Sequence, residues 1–316
     1  MSTGSSVPYK LRPNKAVDRE LFLSLLTRLA PALALEGHHY IGLGGSFLED
    51  FRLVHARLGI ACMTSVESEE EVHRRQIFNR PTASVECVHS SLEDYLDAHD
   101  FDRPAIIWFD YTAPKPVEQI GRFARTVGEV KLNSILRLTL NAQPSALGEP
   151  NPKLSGQALW EWRLEKFKDR LGSLCPTDIT AAGMEKKTYG SSILRALFLA
   201  VEKEVLSHAD RKVVWALSTH YADGQPMVTA TLVVCAANDT VIEPLVKGWT
   251  FYSPPNEPLR IDLPALSTLE RLTMESNDDA RTRLGFELPE SGLGEDPFEV
   301  FKKFYRIYPH FSRVEL

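Results

Sequence analysis

The chain carries only four cysteines among 316 residues, and no two of them form a CxxC pair. Cys62, Cys87 and Cys235 lie inside apolar runs, where a thiol acts as a small buried hydrophobe. This usage argues against a zinc cluster and against a secreted disulfide scaffold. Long hydrophobic runs are missing too: none approaches the ~18 apolar residues that a membrane helix needs. The opening stretch MSTGSSVPYKLRPNK has no apolar core of signal-peptide length. A cytoplasmic location away from membranes is the expectation by elimination. Nor is there an excess of cations. Lys and Arg number 36 against 42 Asp and Glu, a formal charge of −6, which argues against nonspecific binding along a nucleic-acid backbone. A local basic cleft is compatible with that total. Internal repeats and low-complexity tracts are absent as well.

What is present is an ordinary globular composition, 43% hydrophobic and 25% charged. Such a length holds one large domain or two modest ones, and it buries enough apolar surface to fold without staples. Residues 1 to 15 read as a flexible or docking arm, with Lys10, Arg12 and Lys15 around Pro13. Leu21, Leu25, Leu26, Leu29 and Leu33 then recur at helical spacing and predict a helix over Val17 to Leu35. A short strand follows at His39-Tyr40-Ile41 and breaks into Gly42-Leu43-Gly44-Gly45. Helical spacing resumes from Phe47 to Leu58, and Gly59 is placed to end it. Ile60 to Val66 predicts a second strand that stops at Glu67. Ser68, with Glu71 at the capping-box position, predicts the start of the next helix, which ends near Asn79-Arg80-Pro81.

Further strands are predicted at Ala83 to Val88, at Ala105 to Phe109 and at Ile135 to Leu140, with helical stretches between them. The run Ala105-Ile106-Ile107-Trp108-Phe109 is apolar throughout, as a strand buried on both faces should be. The β-α alternation implies a parallel sheet with helices on both faces. Residues 144 to 156 read as a loop, and Trp160 to Leu171 and Ser191 to Leu206 as helices. Lys212 to Leu217 and Met227 to Val234 are strands joined through Ala222-Asp223-Gly224-Gln225, so they run antiparallel. The fold class expected is α/β: a Rossmann-like sheet, mostly parallel, closed by an antiparallel hairpin. The boundaries expected are an arm and helix over 1–37, the main domain over 38–239 and a C-terminal extension over 240–316. A helical insertion spans about 144–210. The extension ends in the aromatic-basic tail Phe301-Lys302-Lys303-Phe304-Tyr305-Arg306.

The residues that bear chemistry fall at strand ends. Gly42, Gly44 and Gly45 follow the first strand, where a tight turn lets backbone approach a ligand without a Cβ clash. Glu67 ends the second strand, and an acid some 20 residues beyond such glycines can accept hydrogen bonds from ribose hydroxyls. Otherwise Glu67 is a solvated member of an acidic helix start. A nicotinamide-binding fingerprint would need glycine or alanine where Phe47 stands, and Phe47 is far too large for that role.

On these residues, the stretch Tyr40 to Gly45 resembles motif I of the class I S-adenosylmethionine-dependent methyltransferases. The resemblance covers about 200 residues and includes the closing hairpin, an arrangement associated with that family. The stretches YIGLGGSFLEDFRLVH, IFNRP and WFDY also resemble an uncharacterised bacterial group carrying an O-methyltransferase label. The resemblance implies S-adenosylmethionine as cofactor, held by Gly42, Gly44, Gly45 and Glu67. It implies a polar residue near the adenine, for which Ser91 is the candidate, although Ser91 equally suits a helix cap. The chain departs from the family at Tyr40, where an acid is common, and at Ser46, where a third glycine is common.

Asp110 and Tyr111 end the fourth strand, where amino-methyltransferases carry an Asp/Asn-Pro-Pro-aromatic motif; the two prolines are absent from their places. Asp110 could take a hydrogen bond or a proton from a nucleophile, and Tyr111 could stack on a flat group. Asn141 ends the fifth strand and should face the same crevice. Asp110 and Asn141 match part of the ligand set of metal-dependent O-methyltransferases, but no second Asp is near and no metal is expected. Among the histidines, His220 is the better candidate base, with Tyr221 beside it. Arg74, Arg75, Asn79 and Arg80 read as a solvated helix face. The function expected is methyl transfer to an unknown oxygen or nitrogen acceptor. A second reading stays open: a methyltransferase fold used as a binding or partner subunit. Its contact surfaces would be the Trp160-Glu161-Trp162 insertion and the C-terminal segment, facing a protein partner or a second copy.

Overall fold

The expected alternation is realised in the computed structural model, which describes residues 12–276, 279–289 and 292–309. Strands His39–Gly42 (β1), Cys62–Glu67 (β2), Val85–His89 (β3), Ala105–Asp110 (β4) and Ile135–Asn141 (β5) run parallel in the order β3-β2-β1-β4-β5. β4 is buried along nearly its whole length, which is why its sequence is apolar without alternation. The hairpin Arg211–Asp223 (β6) and Gln225–Ala236 (β7) turns at Gly224, whose φ is 96°. β7 inserts between β5 and β6 and pairs antiparallel with both. Leu259–Ile261 (β8) adds an eighth strand, parallel to β6, at the sheet edge. Among the described residues, no helix is long and apolar enough to cross a membrane.

Helices Leu92–Ala98 (α4), Pro116–Glu129 (α5), Gly156–Leu171 (α6) and Tyr189–Val205 (α7) bury apolar side chains in one core. Helices Pro13–Leu33 (α1), Glu49–Leu58 (α2) and Ile242–Lys247 (α8) contribute to a second. The tail around Phe301 is an amphipathic helix, Pro297–Phe304 (α11): Phe301 and Phe304 are buried, while Lys302 and Lys303 face water. Helices Thr268–Ser276 (α9) and Ala280–Leu284 (α10) pack with Phe298 and Phe301 of α11 in a small third cluster. Trp160 packs against the first core from α6.

Three expectations are corrected. Both hairpin strands are longer than the apolar pattern predicted: β6 runs on through Ser218, Thr219 and His220, which are polar yet fully buried, and β7 gains Gln225 and Pro226 at one end and Cys235 and Ala236 at the other. α1 starts at Pro13, so Lys15 belongs to a packed helix and not to an arm; residues 1 to 11, including Lys10, lie outside the described residues. The first turn of α1 was hidden from periodicity for the same reason. Asn14, Lys15, Asp18 and Arg19 are all buried. Asp223, at the hairpin tip, accepts the Asn14 and Lys15 backbone N–H groups at 3.3 and 2.8 Å, satisfying orphan donors at the positive end of the helix. Thirdly, helix Glu70–Asn79 (α3) has no side-chain cap from Ser68; Glu67 Oε1 instead accepts the Glu69 N–H at 2.8 Å.

Candidate functional site

The carboxyl ends of β2 and β4 and the turn after β1 surround a cavity of about 970 Å³, whose lining includes Gly45, Glu67, Ser91, Asp110, Tyr111 and Arg122. In open α/β sheets this edge is where ligands bind. The volume is at the upper end of the ~300–1,000 Å³ typical of small-molecule clefts.

In the turn after β1, Gly44 and Gly45 are both left-handed, with φ of 62° and 54°. A Cβ on Gly44 would lie 2.5 Å from Leu48 Cδ2, 2.6 Å from Ser65 Oγ and 2.8 Å from Phe51 Cε2. The crowding that demands glycine here therefore comes from β2 and α2; Gly45 is the glycine that borders the cavity. Gly42 borders a smaller cleft with Tyr40, Asp50, Trp108 and Asp110. Tyr40, which replaces the acid common in motif I, is core: 1% exposed, its ring edge-on to Phe51 at 5.0 Å.

The turn is also held from α3. Gln76 Nε2 donates to Leu43 O at 2.9 Å and to Gly45 O at 3.0 Å, and Asn79 Nδ2 donates to Ser46 O at 2.8 Å. Of the residues read as a solvated face, Asn79 is thus the one that turns inward; Arg74, Arg75 and Arg80 are exposed. Arg74 pairs with Glu70 and Glu71, and the exposed Arg75 reaches over the Phe47 ring. Gln76 escaped the sequence reading altogether. Its signal was a polar residue one helical repeat after the buried Val72, where an apolar one fits.

Glu67 is half-buried and faces the cavity. Burial pushes its carboxyl above the ordinary range, and the N–H of Glu69 offsets part of that rise. Ser91 lines the cavity as a helix cap. Its Oγ accepts the Asp94 N–H at 3.0 Å and donates to Asp94 Oδ2 at 2.7 Å, so its hydroxyl proton is committed. Tyr111 donates its hydroxyl to Glu93 Oε1 at 2.7 Å, bridging from the end of β4 to α4. Burial, then that hydrogen bond, push the phenol well above its usual value.

Asp110 carries the largest surprise. Lys15 Nζ from α1 donates to its Oδ2 at 2.7 Å, with the two side chains only 5% and 12% exposed. Burial alone would raise the Asp110 carboxyl. The Lys15 ammonium and hydrogen bond, with help from Thr139, outweigh it and hold the carboxyl below the ordinary range. Beside this pair, Arg19 bridges Glu49 and Asp50.

The other two candidates are not brought to the cavity. Asn141 is buried; its Nδ2 donates to Gln225 Oε1 at 3.0 Å and its Oδ1 accepts the Gln143 N–H at 2.9 Å. It fastens the β5 end to the hairpin and is not part of the cavity lining. His220 is fully buried against α7, and burial pushes its imidazole down to about 4. A histidine so placed stays neutral and away from the crevice.

A family model described as "Putative O-methyltransferase" matches residues 7–316. No curated protein sequence matches the chain. Solved structures with a similar backbone include Trm1 from Pyrococcus horikoshii in complex with S-adenosyl-L-methionine, at 13% identity and a TM-score of 0.46. That likeness covers 73% of this chain but only 57% of the length of Trm1. A Klebsiella pneumoniae protein described as a "putative O-methyltransferase" is similar over 74% of this chain and 93% of its own, at 11% identity and a TM-score of 0.39.

Proposed function

The chain belongs to this O-methyltransferase family, and from that premise we propose that it moves a methyl group from S-adenosylmethionine to an oxygen or nitrogen of an acceptor. One observation carries the reading: Gly45 of the turn and the Glu67 carboxylate border a single cavity large enough for a nucleoside. A carboxylate in that place accepts hydrogen bonds from two neighbouring ribose hydroxyls, and charge-assisted bonds of this kind are strong. The residues fit the group. Glu67 would hold the ribose, the glycine turn would give backbone room beside the cofactor, and Tyr111, fixed by Glu93, would wall the pocket. Ser91 contributes shape only, since its hydroxyl is spent on the α4 cap.

The cofactor supplies an activated methyl on a sulfonium; the chain supplies proximity and alignment. Asp110 borders both the cavity and the smaller cleft at Gly42. Lys15 keeps its proton affinity low, so Asp110 accepts a hydrogen bond from the acceptor and aims its lone pair, and it is a poor proton sink. No role in transfer is assigned to Asn141. The four free cysteines suit a reducing compartment such as the cytoplasm.

Calorimetry of the intact protein with S-adenosylmethionine and S-adenosylhomocysteine tests the reading. Binding is expected, and Glu67→Ala should weaken it by roughly 10- to 100-fold, the worth of hydrogen bonds to a charged group. Unchanged affinity in that variant removes Glu67 from the ribose. A folded wild type that binds neither ligand leaves the fold as a non-catalytic partner subunit. In a methyl-transfer screen, Asp110→Ala, which removes the acceptor, should lower turnover by roughly 10- to 100-fold, the worth of a hydrogen bond to a charged group; full turnover rejects its assignment.

A further inference from the structure

We propose that Gln76, seconded by Asn79, is a positioning residue for the cofactor, acting by clamping the glycine turn onto α3. The inference rests on the S-adenosylmethionine reading of the same cavity. Three carbonyl groups of the turn, those of Leu43, Gly45 and Ser46, accept side-chain N–H groups from this one helix. A trans peptide unit is planar and sets its C=O and the next N–H on opposite sides. Drawing these carbonyls toward α3 therefore turns the N–H groups of Gly44, Ser46 and Phe47 away from it. The direction of the turn's backbone dipoles is fixed before any ligand arrives, which is how a site is preorganised.

The chemistry of Gln76 argues for this role over mere space-filling. It is 0% exposed, and the apolar neighbour Val72 stands one helical repeat before it. Its Nε2 makes two hydrogen bonds, while its Oε1 is buried with none. Burying an acceptor unsatisfied is costly, and a leucine or methionine would avoid that cost. The amide is kept for its N–H groups. The opposite amide orientation would set an oxygen against two carbonyl oxygens, so the assignment of nitrogen and oxygen is fixed by the network.

α3 also reaches the other half of the site. Glu67 Oε1 holds the N–H of Glu69 at its leading end, and Val72 lines the cavity in between. One helix thus sets the spacing between the ribose carboxylate and the glycine turn.

The test titrates S-adenosylhomocysteine into wild type, Gln76→Met, Gln76→Glu and Asn79→Ala by calorimetry. Amide hydrogen exchange over residues 43–48 is followed in the ligand-free proteins. Gln76→Met keeps the length and loses the donor; it should weaken binding roughly tenfold or more and speed exchange in the turn, with exchange in β4 and β5 unchanged. Gln76→Glu should bind poorly above the pH at which its carboxyl ionises, a value that burial raises, because the carboxylate then opposes two carbonyls. Relative to wild type measured in parallel, it should recover as the pH falls, because a protonated carboxyl donates again. A purely structural residue gives no such pH-dependent ratio. Wild-type affinity in Gln76→Met, or a flat ratio for Gln76→Glu, overturns the proposal. Should Gln76→Met fail to fold, Asn79→Ala decides: a severalfold loss supports the clamp and unchanged affinity rejects it. If wild type binds no S-adenosylhomocysteine, the cofactor reading falls by itself. The exchange rates of the turn then still tell whether Gln76 clamps it.

Discussion

Replacing Lys15 by Met strips the ammonium from Asp110 and leaves a carboxylate whose side chain is 12% exposed. Removing one partner of a buried pair destabilises a protein by about 3–5 kcal/mol, and Lys15→Met should fall in that range in denaturant titrations. The sign of the pH effect follows from the depressed carboxyl. In wild type the pair contributes stability above the unfolded Asp value, near ~3.9, and loses it as the pH falls through the lower folded value. In Lys15→Met only Thr139 and Arg19 still oppose burial, so the carboxyl rises and the acid limb of methyl transfer moves to higher pH. A limb that stays in place means the ion pair does not set the charge of Asp110. Glu67 and Asp110 were legible in the sequence because each closes a strand, and strand ends of a parallel sheet share one edge. Lys15 and Gln76 were not, because each reaches the site from a helix across a tertiary contact. Ser91 and Asn141 were legible as strand-end polar residues. Their hydrogen bonds, however, go to a helix cap and to the hairpin.

The glycines separate turn from site at the scale of the element. Gly44 and Gly59 both have positive φ, near 62° and 67°. Gly59 caps α2, and a Cβ added there would meet nothing within 4 Å, whereas one on Gly44 would meet three side-chain atoms below 3 Å. Gly59→Ala should therefore cost about 1 kcal/mol, the left-handed penalty alone. Gly44→Ala adds overpacking of about 1–3 kcal/mol and should displace Leu48, Phe51 or Ser65, weakening S-adenosylhomocysteine as well. Equal melting temperatures for the two variants would refute the crowding at Gly44. Strand order and the hairpin were legible because apolar runs and an Asp-Gly turn are local signals. The far end of β6 and the first turn of α1 were not. There, polar side chains are buried against one another, and a hydrophobic pattern is silent about polar pairs.

Over the whole molecule, that same buried polarity ties the N-terminal helix to the sheet. Asp18 of α1 takes Arg137 Nη2 of β5 on one oxygen at 2.5 Å; on the other it takes Thr219 of β6 at 2.6 Å and Thr229 of β7 at 3.2 Å. Arg137 also donates to Thr231 of β7 at 2.8 Å and packs against the rings of both Phe22 and Trp108, which meet each other edge-on at 5.4 Å. Both charged side chains are 0% exposed. Four elements, α1, β5 and both strands of the hairpin, thus meet at one ion pair, with Arg137 beside Trp108 of the strand that ends in Asp110. Asp18→Leu alone strands a guanidinium in this core and should cost about 3–5 kcal/mol. Arg137→Met alone strands the carboxylate and should cost a similar amount. The double variant removes both charges and, if its apolar side chains pack, should recover most of the loss, since a buried pair often gives no more stability than apolar residues of similar volume. Denaturant midpoints of the four proteins measure the coupling. Strict additivity of the two single losses would mean that Asp18 and Arg137 act independently, and that this ion pair does not couple α1 to the sheet.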